Sequence, residues 1–331
     1  MSIDPQVQGT KTETLVVEAR EAQRRRRPGR VQRIGDHIRR EWQLYAMLIP
    51  TILWLIIFLY KPMYGLQIAF KDYSVFRGVA ASPWVWFEHF ETLFSNDQFI
   101  RALKNTVIIS FYSLLFGFPV PIILAVMFNE VLHQTFKKTL QTVVYLPHFI
   151  SSVIIAGIVI TAFAPSAGIV NTVLGWFGVS SVYFLTKPEW FRPIFVGTTI
   201  WQEAGFQSIV YLAAIAGVSP TLYESAVVDG ASRWQMIWKI TIPSIMPTII
   251  IMLIIRIGNM LEVSFEMIIL LYQPATYETA DVVNTFIYRQ GIQGGQYDLA
   301  AAAGLFNAVV AFVLVMTANT ISKRYSRTSL W

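Results

Sequence analysis

Arg256 stands inside one of the most apolar stretches of this chain, TIIIMLIIRIGNMLEVSFEMIIL from Thr248 to Leu270, with Asn259 three residues further on. A second apolar stretch holds Glu203 and Gln207 one helical turn apart, flanked by Trp201 and Tyr211. Ionisable groups in such surroundings are costly unless they pair or serve a purpose. The residue types allow two outcomes: an Arg256 to Glu203 ion pair that fastens two helices, or a polar cavity in which Arg256 faces a ligand. Glu262 and Glu266 are expected near the outer membrane interface.

A second polar cluster, YESAVVDGASRWQMIWKITIP from Tyr223 to Pro243, places Glu224, Asp229, Arg233 and Lys239 in a short helical segment. Ser219 before Pro220 suits a helix start, because proline in the first turn gives up an N–H that has no partner there. Glu224 then falls early, where the helix dipole favours negative charge. Gly230 reads as the end of that helix, since glycine takes the left-handed conformation without strain. A second helix is expected over Ser232–Ile240, running into Pro243 and the fifth span, with Trp234, Ile237 and Trp238 as an apolar stripe. Periodicity alone is equally compatible with an amphipathic helix lying on a membrane surface.

The elements that must position these residues are membrane helices. Of 331 residues, 54% are hydrophobic and only 14% charged, against about 25% charged in an average soluble domain. Six apolar blocks approach the roughly 20 residues a spanning helix needs: Leu44 to Tyr60, Val107 to Phe128, Val143 to Phe163, Ile194 to Ala216, Thr248 to Leu270, and Leu299 to Ile321. Counting Lys and Arg outside the spans puts seventeen on one side and eight on the other. The positive-inside rule then sets both termini, and the 223–243 cluster, in the cytoplasm. The expected organisation is a basic, largely disordered tail over 1–42, resting on anionic lipid, and a six-span domain over 43–331. Two outer segments, Lys61 to Asn105 and Ala164 to Arg192, carry Trp84, Trp86, Phe87, Trp176 and Trp190, as headgroup-level residues do.

Several chemistries are excluded. With no cysteine there are no disulfides, zinc-thiolate sites or iron–sulfur clusters, and four scattered histidines without i, i+4 pairing make no metal site. There is no GxxxxGK[ST] and no GxSxG, so neither nucleotide hydrolysis nor a serine nucleophile is encoded. RRRRPGR at Arg24 to Arg30 has acidic neighbours and is read as a tail that holds the terminus inside rather than as a nucleic-acid patch.

The order within the polar cluster is specific. Glu224-Ser225-Ala226, three residues, Gly230, nine residues, Ile240, one residue, then Ile242-Pro243 resembles the EAA loop of the permease subunits of binding-protein-dependent ABC importers, with Ser225 and Ile242 as mild departures. YLPHFI at Tyr145 to Ile150, FEMI at Phe265 to Ile268, and Tyr288-Arg289 resemble the sugar permeases of the maltose type, and within them the branch associated with uronate-containing polymers such as pectin fragments and alginate. The likeness runs from about Glu41 to the C-terminus.

This resemblance implies an all-α, type I importer permease with a coupling helix within 220–240. It assigns contact with a cytoplasmic ATPase to Glu224, Ser225, Ala226, Asp229 and Gly230. It implies no bound cofactor, ATP and magnesium belonging to two ATPase subunits, and as further partners a second homologous permease, an extracytoplasmic binding protein and membrane lipid, but no nucleic acid. The location is the bacterial cytoplasmic membrane. The substrate pathway is expected at Trp201, Glu203, Gln207, Tyr211, Arg256 and Asn259, with Arg256 attracting substrate carboxylates and Trp201 and Tyr211 facing sugar rings. Other classes remain: a secondary transporter with Glu203, Glu262 or Glu266 as a proton site, a permease for another small solute, or a membrane-anchored scaffold.

Overall fold

The computed structural model describes residues 40–325. The expected basic tail over 1–42 falls almost wholly outside them, as does Arg327. Among the described residues the chain is helical nearly throughout, and the single extended pairing joins Lys71 to Trp84. Hydrocarbon offers peptide groups no hydrogen bonds, so an open membrane segment must satisfy its own backbone as a helix.

The chain forms two compact units, 1–65 and 66–331. In the first, helix α1 (Trp42–Leu55) contains Pro50 and passes into a π-turn at Ile56–Tyr60. In the second, α2 (Asp97–Gly117) and α3 (Pro119–Glu130) run on as one helical stretch, with the Asn96 side chain capping the start. Then come α4 (Gln134–Tyr145), α5 (Ser152–Ala162), α6 (Pro188–Ala216), α7 (Pro220–Val228), α8 (Ile242–Gly258), α9 (Phe265–Leu271) and α10 (Tyr297–Tyr325). Four helical stretches are long and apolar enough to cross a membrane: 42–70, 97–130, 233–258 and 297–324. Counting two bent pairs as one span each brings the number to six.

The bends depart from the expected blocks. The third block, Val143 to Phe163, is not one helix: α4 and α5 meet at 101° across a tight turn, Leu146–Phe149. Pro147 in that turn has no N–H to give and restricts the residue before it. The fifth block, Thr248 to Leu270, is also two helices, because α8 stops at Gly258 and α9 starts at Phe265. At Gly258, α8 comes so close to α10 that a Cβ would lie 2.7 Å from Val315 Cγ2. Gly258 followed by Asn259 is also a helix-ending pair.

The connection from α9 to α10 is held by a buried carboxylate. Asp281 has no solvent exposure and receives both arms of Arg289, at 2.9 and 2.8 Å, and the Thr285 hydroxyl at 2.8 Å. Arg101 on α2 lies 4.0 Å from the same carboxylate. Hydrogen bonding to Asp281 raises the Arg289 pKa above its ordinary value, so this guanidinium stays charged. The Asp281 backbone carbonyl accepts from Asn105 on α2 at 2.9 Å, and Asn105 Oδ1 accepts from Arg192 on α6 at 2.9 Å. Three elements distant in sequence thus meet at one site.

Asp281→Asn keeps the shape and leaves the half-buried Arg289 without its counter-charge. The expected cost is about 3–5 kcal/mol, read as a lowered thermal midpoint of the purified protein in detergent; an unchanged midpoint would show that the pair contributes nothing.

Candidate functional site

A cavity of about 310 Å³ opens where α8 breaks. Its wall is built from three directions. Ser110 and Ser113 stand one turn apart on α2; Phe195, Thr199, Glu203 and Gln207 repeat every four residues along one face of α6; Arg256 and the 259–264 break close the third side. The i, i+4 repeat on α6 is what a helix must show to put several polar groups into one space.

The lining mixes neutral polar side chains with apolar ones, and the charges are Arg256, Glu203 and Glu262. Arg256 forms no ion pair among the described residues. Its Nη2 lies 3.8 Å from where a Cβ on Gly117 would stand, an ordinary van der Waals distance, so the guanidinium packs beside α2. The ion pair expected between Arg256 and Glu203 is therefore absent. Glu203 turns instead to His148, whose Nδ1 is 3.3 Å from Oε2, close enough for an ion-pair contact though not aligned as a hydrogen bond.

The broken segment explains how a helix can stop at this depth. The Ser110 hydroxyl donates to the Met260 carbonyl, and Asn284 Nδ2 reaches the Val263 carbonyl at 3.5 Å. Side chains thus replace the missing helical bonds, and the rest of the segment borders a polar space rather than lipid.

Of the residues expected in the pathway, the structure brings together Glu203, Gln207, Arg256 and Asn259. Trp201 and Tyr211 do not line the cavity: Trp201 is exposed, and Tyr211 is buried among Ala125, Ile215 and Ile245. Glu262, expected near the outer interface, lines the cavity. Ser110, Ser113, Thr199, Gln202 and Ser264 were not anticipated. The polar positions of α2, one turn apart in an apolar block, were the available signal, together with the Gly258-Asn259 pair.

The Glu224 cluster forms a different kind of site. Helix α7 starts after Ser219, with Pro220 in its first turn, and ends in a left-handed residue, Gly230 at φ 75°. The Gly230 N–H bonds the Val227 carbonyl at 3.1 Å and the Ala231 N–H bonds the Ala226 carbonyl at 2.9 Å, the paired closure of a glycine-terminated helix. Ser232 then caps the next helix through a reciprocal bond with Gln235. The second helix runs on into the fifth span as expected, passing through a π-turn at Ile237–Thr241 straight into α8 and making one stretch over 233–258. Tyr223 Oη, 3.0 Å from Thr241 Oγ1, ties the two limbs together. Glu224, Ser225, Asp229 and Gly230 are exposed, Ala226 is half-buried, and Val228 is 87% exposed.

An exposed, rigidly bent helix pair leading directly into a spanning helix beside a polar cavity is the layout of a transport subunit. Residues 117–328 match the family described as binding-protein-dependent transport system inner membrane component. The chain belongs to this family. It is a permease subunit of an ABC importer, a multi-pass protein of the inner membrane. One relative is the polygalacturonan/rhamnogalacturonan transport system permease protein YteP of Bacillus subtilis (strain 168), 41% identical over 87% of this permease and 90% of its own length. A chain in the crystal structure of a bacterial ABC transporter involved in the import of the acidic polysaccharide alginate is 61% identical, with a TM-score of 0.83 over 89% of this permease and 99% of that chain. A second crystal structure, of the bacterial alginate transporter in complex with an alginate pentasaccharide-bound periplasmic protein, contains a chain 60% identical with a TM-score of 0.84, covering 90% and 100%.

Ser110→Ala removes the donor to the Met260 carbonyl. It is expected to destabilise the permease by about 1–3 kcal/mol, the cost of an unsatisfied buried acceptor, with faster amide exchange over 259–264. Unchanged exchange there would mean that the break is held by other contacts.

Proposed function

We propose that this permease forms one half of the translocation pathway for uronate-containing oligosaccharides or polysaccharides, of the chemical kind found in alginate and pectin. The observation that carries the substrate class is Arg256: a guanidinium at the cavity with no ion-pair partner among the described residues. A charge left unpaired in a membrane protein is costly and marks a functional position. The identity to chains of an importer described as acting on an acidic polysaccharide supports the same reading. One cation among polar groups and two carboxylates suits conduction, because a site on a pathway must bind weakly enough to release. Glu203, Gln207 and Asn259 belong to this pathway as neighbours of Arg256. Trp201 and Tyr211 have no part in it.

The Glu224 cluster is the coupling element in this reading. Glu224, Ser225, Ala226, Asp229 and Gly230 meet a groove in a cytoplasmic ATPase, and the exposed Val227 and Val228 supply apolar contact there. ATP and magnesium bind to two ATPase subunits, and this chain holds no cofactor. A second, homologous permease completes the pathway, an extracytoplasmic binding protein delivers the sugar, and lipid surrounds the spans. Both termini are cytoplasmic, in keeping with the excess of Lys and Arg on that side. The tail over 1–42 acts as an anchor and 43–331 as the permease domain.

Two measurements test this in proteoliposomes holding the complete importer and its binding protein. Arg256→Met is expected to lower uptake of an oligouronide about tenfold, equivalent to about 1.4 kcal/mol, and uptake of its neutral methyl ester much less; equal losses would remove the carboxylate role. Gly230→Val forces a branched residue into the left-handed region and is expected to cut uptake while the permease still reaches the membrane. Uptake at the original rate would argue against coupling through this bend.

A further inference from the structure

The cavity contains a carboxylate that could neutralise Arg256. Glu203 lines both the main cavity and the small pocket beside it, and Arg256 lines the same two spaces. In a medium less polar than water a carboxylate and a guanidinium this close attract strongly, yet no ion pair joins them. Glu203 is held by a residue from another part of the chain.

That residue is His148, in the tight turn between α4 and α5. Its ring stacks face to face on Phe206, with centroids 4.0 Å apart and planes within 4°. Phe149 closes edge-on against both rings, at 5.5 and 5.8 Å. Stacking fixes the imidazole plane and leaves Nδ1 3.3 Å from Glu203 Oε2, without hydrogen-bond alignment, a charge contact when the ring is protonated. Phe206 is three residues beyond Glu203 on α6, so the platform and the captured carboxylate share one helix face. The turn is itself anchored on α6, since Gln202 Nε2 donates to the Ile150 carbonyl at 3.4 Å. Glu262, the other cavity carboxylate, is exposed and not confined in this way.

We propose that His148 is a specificity-determining positioning residue: it draws the Glu203 carboxylate away from Arg256 and so keeps the guanidinium free for a substrate carboxylate. The inference rests on the role of Arg256 proposed above and adds a residue that need not touch substrate. Without the imidazole, Glu203 is released to pair with Arg256, and the cavity loses its one available cation. The loss is electrostatic, so removing the Glu203 charge in the same protein must reverse it. A purely structural role for His148 could not be reversed in that way.

The test uses the complete importer with its binding protein in proteoliposomes, and an alginate oligosaccharide as probe. His148→Phe keeps an aromatic ring to stack on Phe206 and removes the nitrogen facing Glu203. Uptake of the acidic probe is expected to fall about tenfold, the size of a coupling between residues in contact. His148→Phe with Glu203→Gln is expected to recover at least half of that loss on a logarithmic scale. Normal uptake by His148→Phe would overturn the proposal. So would a loss that Glu203→Gln does not recover, which would make His148 structural. Arg256→Met measured in parallel separates the two claims: if it leaves acidic uptake unchanged, the reading of Arg256 fails; if it reduces uptake while His148→Phe does not, only the role of His148 fails.

Discussion

A peptide group in hydrocarbon must find its hydrogen bond within the protein, and this permease meets that requirement at its irregular places with one polar stripe on one helix. Asn105, Thr106 and Ser110 occupy successive positions on the inner face of α2. Asn105 donates to the carbonyls of Glu278 and Asp281, Thr106 accepts from the Val283 N–H, and Ser110 donates to the Met260 carbonyl. The long connection from the end of α8 to the start of α10 is therefore stitched to a helix 150 to 177 residues earlier in the chain. Asp281 adds a buried charge pair with Arg289. Because every member of this set has partners, non-helical backbone persists without the penalty of orphaned groups.

The cavity follows from the same constraint. A continuous helix through 248–270 would direct its carbonyls along its own axis and leave no room beside α6. Stopping α8 at Gly258 bends the chain aside, opens the space, and gives Arg256 and Asn259 a polar boundary. The cavity is thus a consequence of where hydrogen bonding can be transferred from backbone to side chains. Beside it an aromatic stack fixes His148, whose Nδ1 lies 3.3 Å from Glu203 Oε2.

The bent pair at 220–241 shows the opposite economy. Its backbone is closed by local devices: a proline start, a glycine end, a capping box. None of these needs distant residues, so the segment keeps its shape while its side chains remain exposed. The Tyr223 to Thr241 contact holds the bend, and the uninterrupted stretch over 233–258 runs from it to the edge of the cavity. Rigidity toward the membrane and exposure away from it are what a transmitting element requires.

The contrast between these two sites accounts for what could be read beforehand. The subunit class came from the resemblance carried by the spacing from Glu224 through Gly230 to Pro243. Hydrophobic blocks determined by themselves a helical membrane protein and local signals a bent helix pair, because lipid solvation and helix termination depend on nearby residues. They also placed Arg256, Asn259, Glu203 and Gln207 in apolar blocks, which singled them out. What only the tertiary structure decided was how far each helix runs and which way its faces point. The fifth block breaks because α10 crowds Gly258 and α2 offers Ser110; Glu203 pairs with His148 rather than Arg256 because a turn 55 residues earlier, by the numbering, stacks on Phe206. Tyr211 faces an apolar cluster and not the cavity because α6 is rotated by its packing against α3. Periodicity fixes the angle between two residues on one helix, but the rotation of that helix against its neighbours is set by contacts far apart in the chain.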